Sequence, residues 1–314
     1  MSHVTAGPLL KWAGGKRQLL PHLRPFYPRE FGRYIEPFMG SGAVFFDLHG
    51  GGRLRGHEVV LIDSNADLIG CYEAVRDRPD EVARALDDLA EAHERGSREH
   101  YYQVRDRRFN PLRDGLRGAN GRIVYTPELA AMFVYLNRTG FNGLFRLNAS
   151  GSFNVPPGRY ARPKISDRAK LLYVAEALST PGLRLEHGSF EAAGTMAADG
   201  DFLYIDPPYA PVSRTANFTA YTPAGFDAAA QEQLQMLVIE LAARGCLVLL
   251  SNSTALQIAA LYDTNRASRD AGLRALRVPA RRAINSNGAR RGPVEEYLIT
   301  NIPVPDRDRA ALQR

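Results

Sequence analysis

The sequence predicts an α/β fold: a mainly parallel sheet flanked by helices, with a mainly helical block inserted between two strands. Three observations predict it. Tyr34-Ile35-Glu36 leads through a glycine turn and an apolar helical run to a second strand, Val59-Val60-Leu61-Ile62, which ends in Asp63. From 69 to 170 the pattern becomes helical, basic and aromatic. After Lys170 strand and helix alternate again, and the run Phe202-Leu203-Tyr204-Ile205 is apolar throughout, as a strand covered on both faces must be. Residues 1–68 and 171–314 are therefore expected to form one discontinuous domain, with 69–170 as an inserted domain.

Composition narrows the class. Apolar and charged shares of 45% and 24% are those of a globular chain, and no run approaches the roughly 18 apolar residues of a membrane span. Residues 1–16 lack a signal-peptide layout, so a cytoplasmic location is expected. Cys71 and Cys246 stand alone in apolar surroundings, without zinc spacing or a disulfide framework, and no metal is expected. The net charge of +6 suits a polyanionic partner. Two arginine-rich stretches concentrate that charge: Arg105 to Arg122, and Arg266 to Arg291. Each reads either as a solvated basic face or as a set of phosphate contacts.

Taken in order, the first motif is Lys11-Trp12-Ala13-Gly14-Gly15-Lys16. It ends like a phosphate-binding loop. However, position 17 is arginine rather than Ser/Thr, and no glycine stands five residues before Gly15. The glycine pair can instead bend the chain so that Trp12 and Lys16 serve one pocket, with a core role for Trp12 left open. Glu36-Pro37-Phe38-Met39-Gly40-Ser41-Gly42 reads as a strand end and tight turn before a helix, where glycines admit a ligand to the backbone. Asp63 lies 21 residues beyond Gly42, the place of an acid that binds ribose hydroxyls, or else of a helix N-cap.

The inserted block contains a helical run from Ala74 to Arg95 and a helix from Pro127 to Asn137. The polar, glycine-rich segment from Asn137 to Tyr160 follows; it suits base-edge and phosphate contacts, or an ordinary hairpin. Further on, a strand from Leu183 to Glu186 precedes Phe190, which reads either as a stacking partner for a cofactor ring or as a core plug. The chain then reaches Asp206-Pro207-Pro208-Tyr209. Neither proline can donate a backbone hydrogen bond, and Pro207 disfavours helix at Asp206. The strand must stop there, presenting an acid, free carbonyls and a flat ring to a planar, amine-bearing group. A loop from Ala216 to Gly225, a helix from Asp227 to Ala243 and strands at Cys246–Leu250 and Glu296–Asn301 complete the pattern.

These motifs, in this order, resemble the Dam-type DNA adenine-N6 methyltransferases over nearly the whole chain. The Lys11-to-Lys16 motif, the Glu36-to-Gly42 turn, Asp63 to Ile69 and Asp206 to Tyr209 are similar to the family's methyl-donor and catalytic motifs. Phe141 to Arg146, Phe153 to Tyr160, Ala216 to Tyr221 and Asn287 to Arg291 are similar to the branch that methylates GATC. The resemblance implies a Rossmann-like class I methyltransferase sheet with S-adenosylmethionine as co-substrate and double-stranded DNA as partner. It implies donor-binding roles for Trp12, Lys16, Phe38, Gly40, Gly42, Asp63, Phe190 and Asp206, and a catalytic turn of Asp206, Pro207, Pro208 and Tyr209. Arg138, Phe141, Asn142, Leu144, Arg146, Pro156 and Arg159 fall in the DNA-binding segments, with Phe141 as the wedge and Leu144, Arg146 and Pro156 reading bases. Ser189 departs from the family, which often has an acid at that place.

The chemistry accounts for these residue types. The exocyclic amine of adenine is a weak nucleophile buried in the stack, so the base must be flipped out. Asp206 and the Pro207 carbonyl can accept both amine hydrogens while Tyr209 stacks on the base. A monomer or weak dimer is expected, with a cognate restriction endonuclease as a possible companion and the nucleoid as its place. Two other readings stay open: an RNA adenine-N6 methyltransferase, and a catalytically silent DNA-binding regulator. Asn in place of Asp206 would instead suit a protein-glutamine methyltransferase.

Overall fold

The computed structural model describes residues 7–12, 14–119, 121–211, 226–281 and 293–303. Its strands are β1 (Tyr34–Glu36), β2 (Val59–Asp63), β3 (Leu183–His187), β4 (Phe202–Ile205), β5 (Leu247–Ser253), β6 (Arg274–Arg281) and β7 (Pro293–Thr300). They form one seven-stranded sheet in the order β3-β2-β1-β4-β5-β7-β6. The pairs β1–β2, β1–β4 and β4–β5 are parallel, whereas β7 runs antiparallel to both β5 and β6. This is the expected α/β sheet, with crossover helices between parallel neighbours.

The helices are α1 (Leu20–Leu23), α2 (Ala43–Gly50), α3 (Ala66–Asp77), α4 (Pro79–Arg95), α5 (Ser97–Tyr102), α6 (Asn110–Gly115), α7 (Pro127–Thr139), α8 (Arg168–Leu178), α9 (Ala192–Met196), α10 (Ala228–Ala243), α11 (Leu256–Ile258) and α12 (Arg266–Asp270). Two compact units emerge. One comprises Met1–Gly15, Gly40–Arg55 and Asp63–Gly188; the other comprises Lys16–Met39, Gly56–Ile62 and Ser189–Arg314.

In the second unit the core is the sheet's own apolar run. Ile35, Val60, Leu203, Ile205, Val248 and Leu250 are wholly buried, and Leu234, Val238 and Leu241 of α10 pack with them. A fully buried Leu or Val contributes roughly 1.5–3 kcal/mol, so these strands are held by burial rather than by propensity. Asp227 caps α10 by accepting the Ala230 amide. In the first unit α7 is buried along nearly its whole length and packs on α4, whose Val82, Leu86 and Leu89 form its inner face.

Two local expectations change. The helical run from Ala74 to Arg95 is broken into α3 and α4 at Arg78, which has φ −138° and ψ 53°. Pro79 lacks an N–H and disfavours helix in the residue before it. The stretch from Arg274 to Arg281, read only as basic, is the edge strand β6, and its Pro279 is tolerated at an edge. Among the described residues, no helix is long and apolar enough to cross a membrane.

Candidate active site

β4 ends at Ile205 and delivers Asp206 half-buried at the carboxyl edge of the parallel strands. Its Oδ1 accepts from Lys16 Nζ at 2.8 Å and from Ser251 Oγ at 3.0 Å. Among the described residues its Oδ2 accepts no hydrogen bond. Lys16 opens a short 3₁₀ turn, and its side chain is only 8% exposed. Its ammonium also stands 4.4 Å from the centroid of the Tyr209 ring, a cation–π distance. The Tyr209 hydroxyl donates to Glu296 at 2.8 Å, which fixes the tilt of that ring. Burial pushes the Asp206 carboxyl above the usual carboxylate range; Lys16 and Ser251 pull it back in part, and the Glu296 charge adds to the rise. Burial, with Asp206 and Glu296 adding to it, also holds the Tyr209 hydroxyl well above its ordinary value.

The turn after Asp206 is clamped. Gln231 of α10 donates to the Pro208 carbonyl at 2.9 Å and accepts from Asn252 at 3.1 Å. Ser253 donates to the Ala210 carbonyl at 2.7 Å. The Pro207 carbonyl, by contrast, accepts no hydrogen bond among the described residues. Motif reasoning missed Gln231, Ser251, Asn252, Ser253 and Glu296. The available signal was the polar run Ser251-Asn252-Ser253 at the end of an apolar strand, where all three residues are buried. Buried polar residues at a strand's end require partners, and here they hold the turn.

Phe38 and Phe190 stack at 5.4 Å with 20° between their planes, and Phe226 meets both edge-on at 5.6 and 5.8 Å. Phe190 is buried in the core cluster, whereas Phe38 is only half-buried.

In the other unit Asp63 is pinned by two backbone amides. Oδ2 accepts from Gly40 at 2.8 Å, and Oδ1 accepts from Asn65 at 2.9 Å. Burial pushes this carboxyl up as well, and the two amides and His187 oppose the shift. The N-cap of α3 is Asn65, not Asp63, since Asn65 accepts the amides of Asp67 and Leu68. Asp63 is thereby left with lone pairs to spare on both oxygens. Gly40 has φ 48°, and a Cβ there would lie 3.1 Å from Cδ1 of Trp12. Gly42, at φ 70°, begins α2. Trp12 is half-buried and stacks on Phe145 at 6.1 Å.

The segment from Gly140 to Pro157 closes as a hairpin through bridges Gly140–Pro157 and Leu147–Phe153. Phe141 at its start is 48% exposed, and Asn142 beside it adopts the left-handed region at φ 54°. Leu144 is half-buried, while Arg146, Pro156 and Arg159 are exposed. Arg146 Nε donates to Asn154 at 2.8 Å. Arg159 lines a pocket of 410 Å³ with Lys11, Arg138, Tyr160, Arg162 and Lys164. Arg138 itself is half-buried and donates to the Leu9 carbonyl.

In the first arginine stretch four arginines pair with carboxylates, and of these only Arg113 is buried. Arg105 pairs with Asp106, Arg108 with Glu128, Arg113 with Asp67 and Arg122 with Glu73. In the second, Arg277 pairs with Glu295 and Arg274 donates to the Ile302 carbonyl. The Ala216–Tyr221 and Asn287–Arg291 motifs lie outside the described residues.

Comparison with known proteins decides the family. The profile of the D12 class N6 adenine-specific DNA methyltransferases matches residues 12–276. The chain belongs to that family. It is 36% identical to the type II methyltransferase M1.LlaDCHI of Lactococcus lactis subsp. cremoris, over 95% of this chain and 96% of that protein. It is 37% identical to the DNA adenine methylase of Escherichia coli K12, over 94% of this chain and 95% of that protein.

For a D12-class methyltransferase the implied methyl donor is S-adenosylmethionine. The residues present fit it. Asp63 is an acceptor without a cation partner among the described residues, and Gly40 keeps Cβ volume away from the Trp12 face. Family membership in DNA methylation favours the DNA reading of the sequence over the RNA one.

Proposed function

We propose that this D12-class enzyme methylates N6 of an adenine flipped out of double-stranded DNA, within GATC, using S-adenosylmethionine. The observation that carries the proposal is the asymmetry of Asp206: Lys16 and Ser251 occupy one carboxylate oxygen, and the other is open next to an uncommitted Pro207 carbonyl. The bound donor supplies an electrophilic methyl group. Asp206 Oδ2 and the Pro207 carbonyl accept the two amine hydrogens, which favours a more tetrahedral nitrogen and frees its lone pair. Lys16 and Ser251 keep the carboxylate from rotating. Tyr209, with its hydroxyl tethered to Glu296, offers its face to the base. Holding the reacting groups in line can contribute roughly 7–11 kcal/mol in favourable systems. Oδ2 is also the acceptor for the proton that the methylated amine releases.

In this reading Asp63 accepts the donor's ribose hydroxyls, and Gly40 and Gly42 admit the donor to the backbone. Trp12, Phe38 and Phe190 serve donor binding, each from its own unit. Phe141 wedges into the duplex, Leu144, Arg146 and Pro156 read bases, and Arg138, Asn142 and Arg159 serve the DNA-binding surface. The enzyme acts as a monomer or weak dimer on nucleoid DNA in the cytoplasm, with a restriction endonuclease of the same site as companion.

The test is methylation of plasmid DNA followed by digestion with GATC nucleases, one blocked by adenine methylation and one requiring it. Protection from the first and cleavage by the second are expected. Methyl incorporation without either change refutes GATC; incorporation into RNA but not duplex DNA refutes the substrate.

A further inference from the structure

We propose that Arg113 is a positioning residue for target specificity: it fastens the hairpin that carries Arg146 to the start of α3. This rests on the reading of Arg146 as a base contact. Arg113 belongs to the basic stretch that suits phosphate contacts, yet it is 1% exposed. Its Nε and Nη2 form a fork on Asp67 at 2.5 and 2.8 Å, and its Nη1 donates to the Gly151 carbonyl at 2.8 Å. Tyr125 also donates to Asp67, at 2.8 Å, so that carboxylate is fully engaged.

Asn110, three residues earlier on α6, grips the same hairpin arm. It accepts from the Phe153 amide at 2.9 Å and donates to the Phe153 carbonyl at 3.0 Å. α6 thus holds the returning arm at Gly151 and at Phe153. The next residue, Asn154, donates its amide to the Arg146 carbonyl at 3.1 Å and receives Arg146 Nε at 2.8 Å. The guanidinium of Arg146 is therefore aimed by a chain of contacts: Asp67 holds Arg113, α6 holds Phe153, and Asn154 holds Arg146.

Only arginine supplies this arrangement. A planar fork meets both carboxylate oxygens while a further N–H reaches a carbonyl; a lysine ammonium keeps the charge but not the fork. Because Arg113 is buried, it contributes nothing to counterion release.

The test compares methylation rates on a GATC duplex and on its single-base variants for the parent, Arg146→Ala, Arg113→Lys and Asn110→Ala. Arg146→Ala identifies the base pair that Arg146 reads. At that pair, Arg113→Lys is expected to lose about tenfold of the preference, within the roughly 5- to 150-fold that a bidentate arginine provides. Asn110→Ala is expected to change the preference in the same direction. The slope of DNA affinity against salt should stay unchanged in both, whereas loss of a phosphate contact would lower it by about one. A general loss of stability lowers all rates together and leaves the ratio in place. Asn110→Ala leaves the Asp67 ion pair intact, so it carries the test if Arg113→Lys does not fold. If Arg146→Ala relaxes the preference but the α6 variants stay within about twofold of the parent, the inference is wrong. If Arg146→Ala leaves the preference unchanged, the base-contact reading fails, and this inference fails with it.

Discussion

Replacing Gln231 with leucine removes the clamp on the Asp206–Tyr209 turn while conserving most of the side-chain volume. Gln231 is 1% exposed; it donates to the Pro208 carbonyl and accepts from Asn252. The substitution leaves the buried Asn252 amide and the half-buried Pro208 carbonyl without these partners, at most about 1–3 kcal/mol each and so at most about 2–6 kcal/mol in all. With an unfolding entropy of about 2.1 cal/mol/K per residue, that lowers Tm by at most roughly 3–9 °C for a chain of this length. The kinetic effect should exceed the thermal one. With Pro208 released, the open Asp206 oxygen and the Pro207 carbonyl no longer share a fixed geometry, and a displacement approaching 1 Å costs on the order of a hundredfold in rate. Initial rates at saturating donor and DNA, measured beside thermal unfolding, separate the two effects. A kcat fall of about ten- to a hundredfold with little change in the donor's KM is expected. A lowered Tm with kcat within about twofold of the parent would refute the reasoning and leave Gln231 a purely structural residue.

Asp206→Ala is expected to reduce methyl transfer by roughly a hundredfold or more while circular dichroism remains that of the parent; near-normal turnover would remove Asp206 from the mechanism. The pH profile should respond to Lys16. Burial holds the Asp206 carboxyl above its usual range and Lys16 opposes that shift, so kcat should rise as pH climbs through the raised value and Asp206 ionises. Lys16→Met withdraws the cation that favours the ionised form, and its acid limb should move to higher pH; a limb that stays or moves lower contradicts the assignment. Gly40→Ala places a Cβ 3.1 Å from Trp12 at φ 48°, at a conformational cost of about 1–2 kcal/mol, and calorimetry should record weaker donor binding.

Much of this protein is legible in one dimension because the relevant physics is local. The apolar run Phe202–Ile205, rich in aromatic and β-branched residues, reads as a buried strand, and two prolines after Asp206 end it. A glycine turn before an apolar helix, with an acid 21 residues on, marks Asp63, and the structure pins that acid with the Gly40 amide. Asp227 and Pro127 announce the starts of α10 and α7 by capping and by fixed φ. The ordered motifs carried the resemblance to adenine methyltransferases, which the family profile bears out.

How individual side chains are used emerges only on folding, because a partner's position along the chain is not a local property. Arg113 and Arg146 look alike in the sequence; one is buried on Asp67, 46 residues away, and the other reaches toward solvent. Tyr209 is tethered by Glu296, 87 residues on, and the Pro208 carbonyl by Gln231, 23 residues on. The strand β6 exists because β7 offers it a ladder, not because its own residues alternate. Residue order alone specifies which chemistry stands at the end of β4. Which oxygen of Asp206 is open for it depends on Lys16 and Ser251, brought there by the fold, since a hydrogen bond is specified by where two atoms meet and not by either residue alone.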